Sequence, residues 1–170
     1  SFSLLAKLRK SELLYLLSEV TNTMAAGEME QLFFAGKSIS EKRYFEIIRN
    51  KTAILFSASC EMGAIIGGLK KKQIRALADF GLHFGLAYQI IDDCLDKTAS
   101  ENITRKTSGL DVKSGKKTLP DIYQSTKKAK EKAEHHMAVA LKSLAGSIST
   151  TKQLPFVELT NFVLSYVKGV

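Results

Sequence analysis

The amino-acid sequence predicts an all-α fold. Apolar residues recur every three or four positions along most of the 170 residues, which is the period of a helix with one buried face. Strict alternation of apolar and polar residues is hard to find, and the first proline is Pro120. With 45% hydrophobic and 25% charged residues, the chain has enough apolar material for one domain over residues 1–170.

The first clear helix is expected from about Lys10 to Ala35. Six apolar residues form its predicted buried stripe: Leu13, Leu14, Leu16, Leu17, Val20 and Met24. Gly36 is expected to end this helix, because glycine readily takes the left-handed conformation that follows many helices. Ser40 has a hydroxyl suited to helix capping, and a second helix is predicted from there to Gly67 and Gly68, with a bend near Asn50.

A third, mostly buried helix is expected from about Lys71 to Lys97. The polar, glycine-containing and basic residues 98–117 are predicted to form a loop beside its carboxyl end, a place where loops often carry function. Residues 121–144 have the pattern of an amphipathic packing helix, and a final helix is expected at about residues 156–167, after Pro155.

Smaller features of the helices also carry expectations. His83 is expected to be a hydrogen-bonded core residue, whereas His135 and His136 are expected on a solvated face. Gly81 and Gly85 are four residues apart, and we expect them to allow close approach of a neighbouring helix, since glycine in a helix otherwise costs about 1 kcal/mol.

The net charge of +8 is concentrated in one region. Residues 97–132 contain ten Lys and Arg against four Asp and Glu. This excess favours an anionic partner, which could be nucleic acid, an acidic membrane face or a phosphorylated small molecule, although a solvated basic surface accounts for the charge equally well.

No transmembrane helix is expected, because the longest mainly apolar run, residues 77–91, is interrupted by Asp79, His83 and Gln89. The first residues lack the pattern of a secretory signal. Two cysteines are too few for a disulfide framework or a structural zinc site, so a cytoplasmic location is the default expectation.

Three aspartates, Asp92, Asp93 and Asp96, lie at the carboxyl end of the third helix. Like-charge repulsion and the helix dipole both oppose carboxylates there, so helix stability does not account for them. Asp92 and Asp96 share one face, with Cβ atoms roughly 5–6 Å apart, and Asp93 lies on the neighbouring face. Such ligands suit Mg²⁺, which takes one or two carboxylates together with phosphate oxygens. The alternative is an exposed acidic helix end without a ligand.

The basic segment that follows favours the metal interpretation. Residues 105–120 read Arg-Lys-Thr-Ser-Gly-Leu-Asp-Val-Lys-Ser-Gly-Lys-Lys-Thr-Leu-Pro. Ammonium groups close to a carboxylate-bound metal would complete a site for a highly charged anion, and glycines would let the backbone approach it. A diphosphate suits both parts. Nucleic acid is disfavoured as a partner, because the aspartates would repel its backbone unless a metal intervenes.

Residues 84–96, Phe-Gly-Leu-Ala-Tyr-Gln-Ile-Ile-Asp-Asp-Cys-Leu-Asp, resemble the second aspartate-rich motif of trans-isoprenyl diphosphate synthases. That motif is a glycine, two apolar residues, an aromatic–glutamine pair and DDxxD. Further agreement follows in the family's order: Gly27 and Glu28 with Gln31, the pair Lys51 and Thr52, residues 64–68, and the string Gly-Lys-Lys-Thr-Leu-Pro at 115–120. The pattern is most similar to long-chain polyprenyl synthases, and it implies a partial isoprenoid-synthase-type helical bundle.

The resemblance also implies a reaction. Mg²⁺ ions bridge aspartates to the diphosphate of an allylic substrate, its C–O bond ionises, and isopentenyl diphosphate attacks the allylic cation. Asp92 is implied as the main metal ligand, with Asp93 and Asp96 as further ligands directly or through water. Asp92, Lys51 and Lys106 are the implied catalytic residues. The implied diphosphate-binding residues are Lys51, Thr52, Gln89, Lys106 and Lys116.

Each of these assignments has a simpler alternative. Lys51 could be an ordinary surface lysine, because exposure is the norm for lysine. Lys116 and Lys117 are interchangeable on charge alone, and Gln89 could satisfy a backbone carbonyl.

The chain also departs from the family pattern. Full members carry an earlier DDxxD motif with basic residues for isopentenyl diphosphate, and a further helical stretch after Thr-Leu-Pro, which these 170 residues lack. We therefore expect the carboxyl-terminal part of a synthase, with half of the metal site and inactive alone. The alternative is a non-catalytic partner subunit of a heteromeric synthase. By resemblance, a homodimer or pairing with another synthase chain is expected.

Overall fold

The computed structural model describes residues 2–103 and 115–168. Every regular element in these two ranges is helical, so the predicted all-α class is confirmed. The elements in chain order are α1 (Phe2–Lys7), α2 (Ser11–Phe33), α3 (Glu41–Ile48), a π-helical segment (Arg49–Ala53), α4 (Ile54–Ile66), α5 (Lys71–Ile103), α6 (Leu119–Tyr123), α7 (Thr126–Leu144) and α8 (Thr150–Lys168).

Helix α5 is the centre of the molecule. It packs along α4 and α7 and makes shorter contacts with α8 and α6. Its buried residues lie on successive turns: Ala76, Leu77, Phe80, Phe84, Leu86, Ala87, Ile90, Ile91 and Cys94. Because apolar residues cover several sides of this helix, several neighbours bury it at once. The ring of Phe80, for example, meets that of Phe156 on α8 at a centroid distance of 4.9 Å.

The π-helical segment lies where the sequence predicted a bend near Asn50. Two glycines allow it to approach its neighbours. A Cβ on Gly27 of α2 would lie 2.6 Å from the backbone nitrogen of Lys51, and a Cβ on Gly85 of α5 would lie 2.7 Å from Cα of Ala53. Both distances are far below van der Waals contact, so the segment is seated against α2 and α5 at positions that only glycine permits. The expected packing role of Gly85 is confirmed.

The amino-terminal helices differ in detail from the prediction. Helix α1 was not anticipated, and α2 ends at Phe33 with a turn that leads to Gly36, whose φ is +75°. Of the predicted stripe, Leu13, Leu17 and Val20 are buried, while its other three members are partly exposed. In the ranges that the structure describes, no helix combines the length and apolar character needed to cross a bilayer.

Three later boundaries were wrong. Helix α5 continues to Ile103, so the loop predicted from Thr98 begins inside a helix. The single helix predicted over 121–144 is divided into α6 and α7, because Gln124 has a φ of 50° and the Ser125 side chain caps α7. Helix α8 starts at Thr150 and contains Pro155 in its second turn, where the proline has no N–H to donate to the carbonyl four residues earlier.

A histidine pair joins α5 to α7. The Nδ1 atoms of His83 and His136 are 3.0 Å apart and the rings stack at 5.3 Å, which confirms the hydrogen-bonded role expected for His83. His136 was expected on a solvated face but is partly buried. Burial, together with the charges of His83, His135 and Lys132, lowers the pKa of His136 to about 4. One ring must accept the hydrogen bond, so the contact requires a neutral imidazole.

The fold is expected to lose stability as the pH falls from about 6.5 to about 4. In the unfolded chain, His136 becomes protonated near its ordinary pKa of 6.5. In the folded chain it becomes protonated only near pH 4, so acid favours unfolding between pH 6.5 and 4. About 1–2 kcal/mol of unfolding free energy should be lost, after allowance for solvent screening. Urea unfolding at pH 7 and 4.5 measures this loss. His136→Asn should remove most of it and His135→Asn should retain it; equal losses in the native chain and His136→Asn would contradict the assignment.

The close packing of the π-helical segment against Gly27 predicts that alanine substitution costs stability at Gly27 but not at Gly63. Gly27→Ala places a methyl group against the backbone of Asn50 and Lys51, which has no side-chain freedom to yield, so we expect a loss of about 1–3 kcal/mol. Gly63 of α4 has no atom within 4 Å of the position its Cβ would take, and Gly63→Ala should be neutral or stabilising by up to about 1 kcal/mol. Urea unfolding followed by circular dichroism compares the two variants. An equal effect of both would show that close approach at Gly27 is unimportant.

Candidate active site

The three aspartates of the DDxxD motif at residues 92–96 differ in exposure. Asp92 and Asp96 are exposed, whereas Asp93 has no exposed surface. The resemblance implies that Asp93 supports a metal directly or through water, and this role stays a prediction. Among the residues that the structure describes, no three His, Cys, Asp or Glu side chains form a group that could hold a metal. The exposed carboxylates of the motif are those of Asp92 and Asp96, one helical turn apart.

The buried carboxylate of Asp93 has donors from three parts of the chain. Lys116 Nζ lies 2.8 Å from Oδ1, the Tyr44 hydroxyl donates to Oδ2 at 2.6 Å, and Gln89 Nε2 donates to Oδ1 at 3.2 Å. Burial raises the pKa of Asp93, while Lys116, Tyr44 and Gln89 oppose that rise. Burial and the charge of Asp93 also raise the pKa of Tyr44 well above its usual value, so its hydroxyl keeps the proton that it donates.

Gln89 connects the buried carboxylate of Asp93 to the exposed carboxylate of Asp92. Its Nε2 also donates to Oδ2 of Asp92 at 3.2 Å, and its Oε1 accepts a hydrogen bond of 2.7 Å from the hydroxyl of Thr52. The Gln89 side chain therefore forms hydrogen bonds with two aspartates and with Thr52 of the π-helical segment. The simpler interpretation, in which Gln89 satisfies a backbone carbonyl, is not what the structure shows.

Lys51 is similarly placed by specific partners. Its Nζ lies 2.7 Å from Glu28 Oε2 and donates to Gln31 Oε1 at 3.1 Å, both on α2. Its side chain is 32% exposed, so it is not an ordinary solvated lysine. Gly27, one residue before Glu28, is where the backbone of Lys51 meets α2. Gly27, Glu28 and Gln31 thus have one shared role. They hold the π-helical segment, which carries Lys51 and Thr52, against α2.

Residues 116–121, which run from the segment before α6 into its first turn, are anchored to α5 at two points. Lys116 pairs with Asp93, and Asp121 Oδ1 pairs with Lys97 Nζ at 2.7 Å. Asp121 also accepts hydrogen bonds from the backbone and hydroxyl of Thr118 in a capping box. Burial raises the pKa of Asp121, but these hydrogen bonds and the charge of Lys97 outweigh burial and lower it.

The structure distinguishes Lys116 from Lys117, which charge alone did not. The side chain of Lys116 is 13% exposed and is turned toward Asp93, whereas Lys117 is exposed. Just before them, the carbonyl of Gly115 accepts a hydrogen bond of 2.8 Å from the backbone of Gly36. Lys106, the other predicted diphosphate ligand of this region, lies outside the described residues.

An apolar recess of about 270 Å³ opens beside Asp92, between α5 and α8. Besides Asp92, its lining is aromatic or aliphatic: Tyr88, Ile91, Leu95, Phe162, Val163 and Tyr166. The exposed carboxylate therefore borders an apolar surface. A ligand with a charged head and a hydrocarbon body would contact both.

Sequence reasoning missed Tyr44, Lys97 and Asp121. Tyr44 shares a helix face with Ile47 and Ile48, which are three and four residues later, so its burial was predictable. A buried tyrosine hydroxyl usually has a hydrogen-bond partner. That signal predicts a partner for Tyr44, but no spacing along the chain points to Asp93, which is far away in sequence.

Comparison with known proteins identifies the family. The family model of polyprenyl synthetase matches residues 1–153. The chain belongs to the polyprenyl synthetase family. The resemblance to trans-isoprenyl diphosphate synthases that the sequence motifs carry is thereby confirmed.

Individual polyprenyl synthetase relatives support this result. The chain is 37% identical to octaprenyl diphosphate synthase of Haemophilus influenzae over 124 residues, which are 72% of this chain and 38% of the relative. It is 36% identical to heptaprenyl diphosphate synthase component 2 of Bacillus subtilis over 124 residues, or 72% and 36% of the two chains. The aligned part is thus well under half of these relatives' length.

Solved structures of the polyprenyl synthetase family share the fold. Polyprenyl synthase of Caulobacter crescentus, complexed with calcium and isoprenyl diphosphate, has a TM-score of 0.85 at 27% identity, covering 96% of this chain and 62% of that one. Decaprenyl diphosphate synthase of Rhodobacter capsulatus has a TM-score of 0.78 at 28% identity, with the same coverage. The predicted isoprenoid-synthase-type helical bundle is confirmed.

Proposed function

We propose that this chain acts in polyprenyl diphosphate synthesis and binds the diphosphate of an allylic substrate beside Asp92 and Asp96 of α5. The observation that carries the proposal is the bridge made by Gln89, which joins the exposed Asp92 to Thr52, the neighbour of Lys51. This bridge ties the predicted metal-binding helix to the predicted diphosphate-binding segment. Membership of the polyprenyl synthetase family supports the same reaction class.

The carboxylates of Asp92 and Asp96 suit Mg²⁺. Two exposed oxygen ligands one helical turn apart leave the remaining positions of an octahedral ion for water and diphosphate oxygens, which is the usual arrangement for this metal. When bound, Mg²⁺ supplies positive charge that stabilises the departing diphosphate. Calcium accompanies isoprenyl diphosphate in the Caulobacter relative, which also supports a divalent ion here.

We propose that Lys51 orients the diphosphate by donating to its oxygens, with Lys106 as a further cation. The contribution of these lysines is greatest when the C–O bond of the allylic substrate ionises, because negative charge then grows on the leaving group. Isopentenyl diphosphate attacks the allylic cation in the next step. Thr52 was predicted as another diphosphate ligand, but its one hydroxyl hydrogen is donated to Gln89, which supports an indirect role instead. Lys116 was predicted as another diphosphate ligand, but its contact with Asp93 supports an indirect role instead.

The apolar recess beside Asp92 supports a substrate with a hydrocarbon chain. Its aromatic and aliphatic walls border the exposed carboxylate, so an isoprenoid chain could lie against them while its diphosphate is held by Asp92, Asp96 and Lys51. A free inorganic phosphate would leave this apolar wall without a partner.

We further propose that chain elongation requires residues beyond this sequence. The 170 residues contain one DDxxD motif, residues 92–96, and they align with well under half of the octaprenyl relative. A second aspartate-rich motif could be supplied by another part of a longer polypeptide or by a separate chain.

A non-catalytic partner subunit is the second candidate function. One relative is named heptaprenyl diphosphate synthase component 2, a name that denotes one part of a synthase. Four large apolar residues of α2 are more than 60% exposed, which supports contact with a second polypeptide: Tyr15, Met29, Leu32 and Phe33. This candidate predicts pairing without binding of metal and diphosphate.

Titration calorimetry with Mg²⁺ and inorganic diphosphate tests the proposed site and separates the two candidates. We expect the native chain to bind diphosphate only with Mg²⁺, and Asp92→Asn to weaken binding at least about tenfold because one metal ligand is lost. Asp79→Asn, which neutralises another exposed carboxylate of α5, is the matched control and should bind like the native chain. Absence of binding, or equal binding by Asp92→Asn, would contradict the proposal.

The need for further residues predicts that the chain alone does not elongate isoprenoids. Incubation with an allylic diphosphate, isopentenyl diphosphate and Mg²⁺ should give no product above the level of the Asp92→Asn variant. Product separation by chain length provides the measurement. Substantial elongation by the native chain would show that these 170 residues are sufficient.

A further inference from the structure

A continuous chain of hydrogen bonds links the interior of the molecule to the exposed Asp92. It starts at the hydroxyl of Tyr44 on α3, passes to Asp93 at 2.6 Å, continues to Gln89 at 3.2 Å and ends at Asp92 at 3.2 Å. Tyr44 is 2% exposed and Asp93 is 0% exposed, so the hydrogen bond between them is shielded from water. Hydrogen bonds in such surroundings are strong and directional.

The amide of Gln89 has one orientation that satisfies all its partners. Its two N–H hydrogens have two acceptors, Asp92 and Asp93, and its oxygen accepts from Thr52. Rotation of the amide by half a turn would bring its oxygen toward both carboxylates. Asp93 therefore fixes the amide, and the fixed amide holds one oxygen of Asp92.

Asp93 is itself held from two sides. Lys116 contacts Oδ1, which also accepts from Gln89, and Tyr44 donates to Oδ2. If the Tyr44 hydroxyl were removed, Oδ2 would be left buried without this donor, a situation that costs stability and favours a shift of the carboxylate. A shift of Asp93 moves the oxygen that accepts from Gln89. The Gln89 amide then moves too, and its hydrogen bond to Asp92 changes.

We propose that Tyr44 and Asp93 are positioning residues of the diphosphate site, which set the orientation of Asp92 through the amide of Gln89, and that Asp93 does not ligate the metal. This inference rests on the proposed function, because it assumes that Asp92 binds Mg²⁺. It assigns a role to Tyr44, which no sequence motif singled out, and replaces the metal-ligand role expected for Asp93. Outer residues that orient metal ligands commonly affect metal affinity about 10–100-fold.

The experiment uses the full 170-residue chain with Mg²⁺ and inorganic diphosphate as the probe, measured by titration calorimetry. Tyr44→Phe removes only the hydroxyl, and Asp93→Asn keeps the size of the side chain but removes its charge. Tyr123→Phe is the matched control, because the Tyr123 hydroxyl bonds to Glu41 and lies outside the chain from Tyr44 to Asp92. Asp92→Asn reports separately on the proposed metal ligand. Circular dichroism confirms that each variant is folded at the temperature used.

We expect Tyr44→Phe and Asp93→Asn to weaken Mg²⁺-dependent diphosphate binding about tenfold without a change in the number of metal ions bound, because no ligand is removed. Tyr123→Phe should bind like the native chain. Selective ¹⁵N labelling of glutamine gives a second readout: in the metal-free chain, the side-chain amide signal of Gln89 should move in Tyr44→Phe and stay in Tyr123→Phe.

The outcomes separate this inference from the proposed function. Native affinity in both Tyr44→Phe and Asp93→Asn, with binding lost in Asp92→Asn, would overturn the positioning role and leave the function standing. A lower number of bound metal ions in Asp93→Asn would show that Asp93 is a ligand and would also overturn it. Absence of binding by the native chain, or native affinity in Asp92→Asn, would overturn the proposed function together with this inference.

Discussion

The buried carboxylate of Asp93 is the constraint on which the site depends. A charged group in a protein interior is costly unless other groups pair with it and hydrogen-bond to it, and here the donors are Tyr44, Lys116 and Gln89. These donors belong to α3, to the segment before α6 and to α5 itself. Satisfying one carboxylate therefore brings three parts of the chain together around Asp93 of the central helix. The neighbouring residue is the exposed Asp92.

Close backbone packing supplies the other half of the site. Gly27 and Gly85 let the π-helical segment lie between α2 and α5, where a side chain at either glycine would meet backbone or Cα atoms. That position places Thr52 beside Gln89 and Lys51 beside Glu28 and Gln31. π-Helical turns are often found at functional sites, since they redirect side chains without ending the helix. Here the turn places the hydroxyl of Thr52 against Gln89 of α5 and the ammonium group of Lys51 against α2.

Much of this arrangement could be predicted from the sequence because it is local or follows a motif. The periodicity of apolar residues predicted the helices, and the spacing of Asp92 and Asp96 predicted that they share one helix face. The different face of Asp93 was also predicted, but its burial was not, because its partners Tyr44 and Lys116 are distant in sequence. The break at Gln124 was missed for a related reason: the amphipathic pattern continues through it, and only the backbone reveals the left-handed residue.

A crystal structure of the chain with Mn²⁺ and inorganic diphosphate would test the central claim most directly, because the anomalous signal of Mn²⁺ locates the metal. We expect metal at the carboxylates of Asp92 and Asp96 with diphosphate oxygens completing its coordination, while Asp93 keeps its contacts with Tyr44 and Lys116. A metal ion bound by Asp93, with the bond to Tyr44 broken, would contradict this assignment.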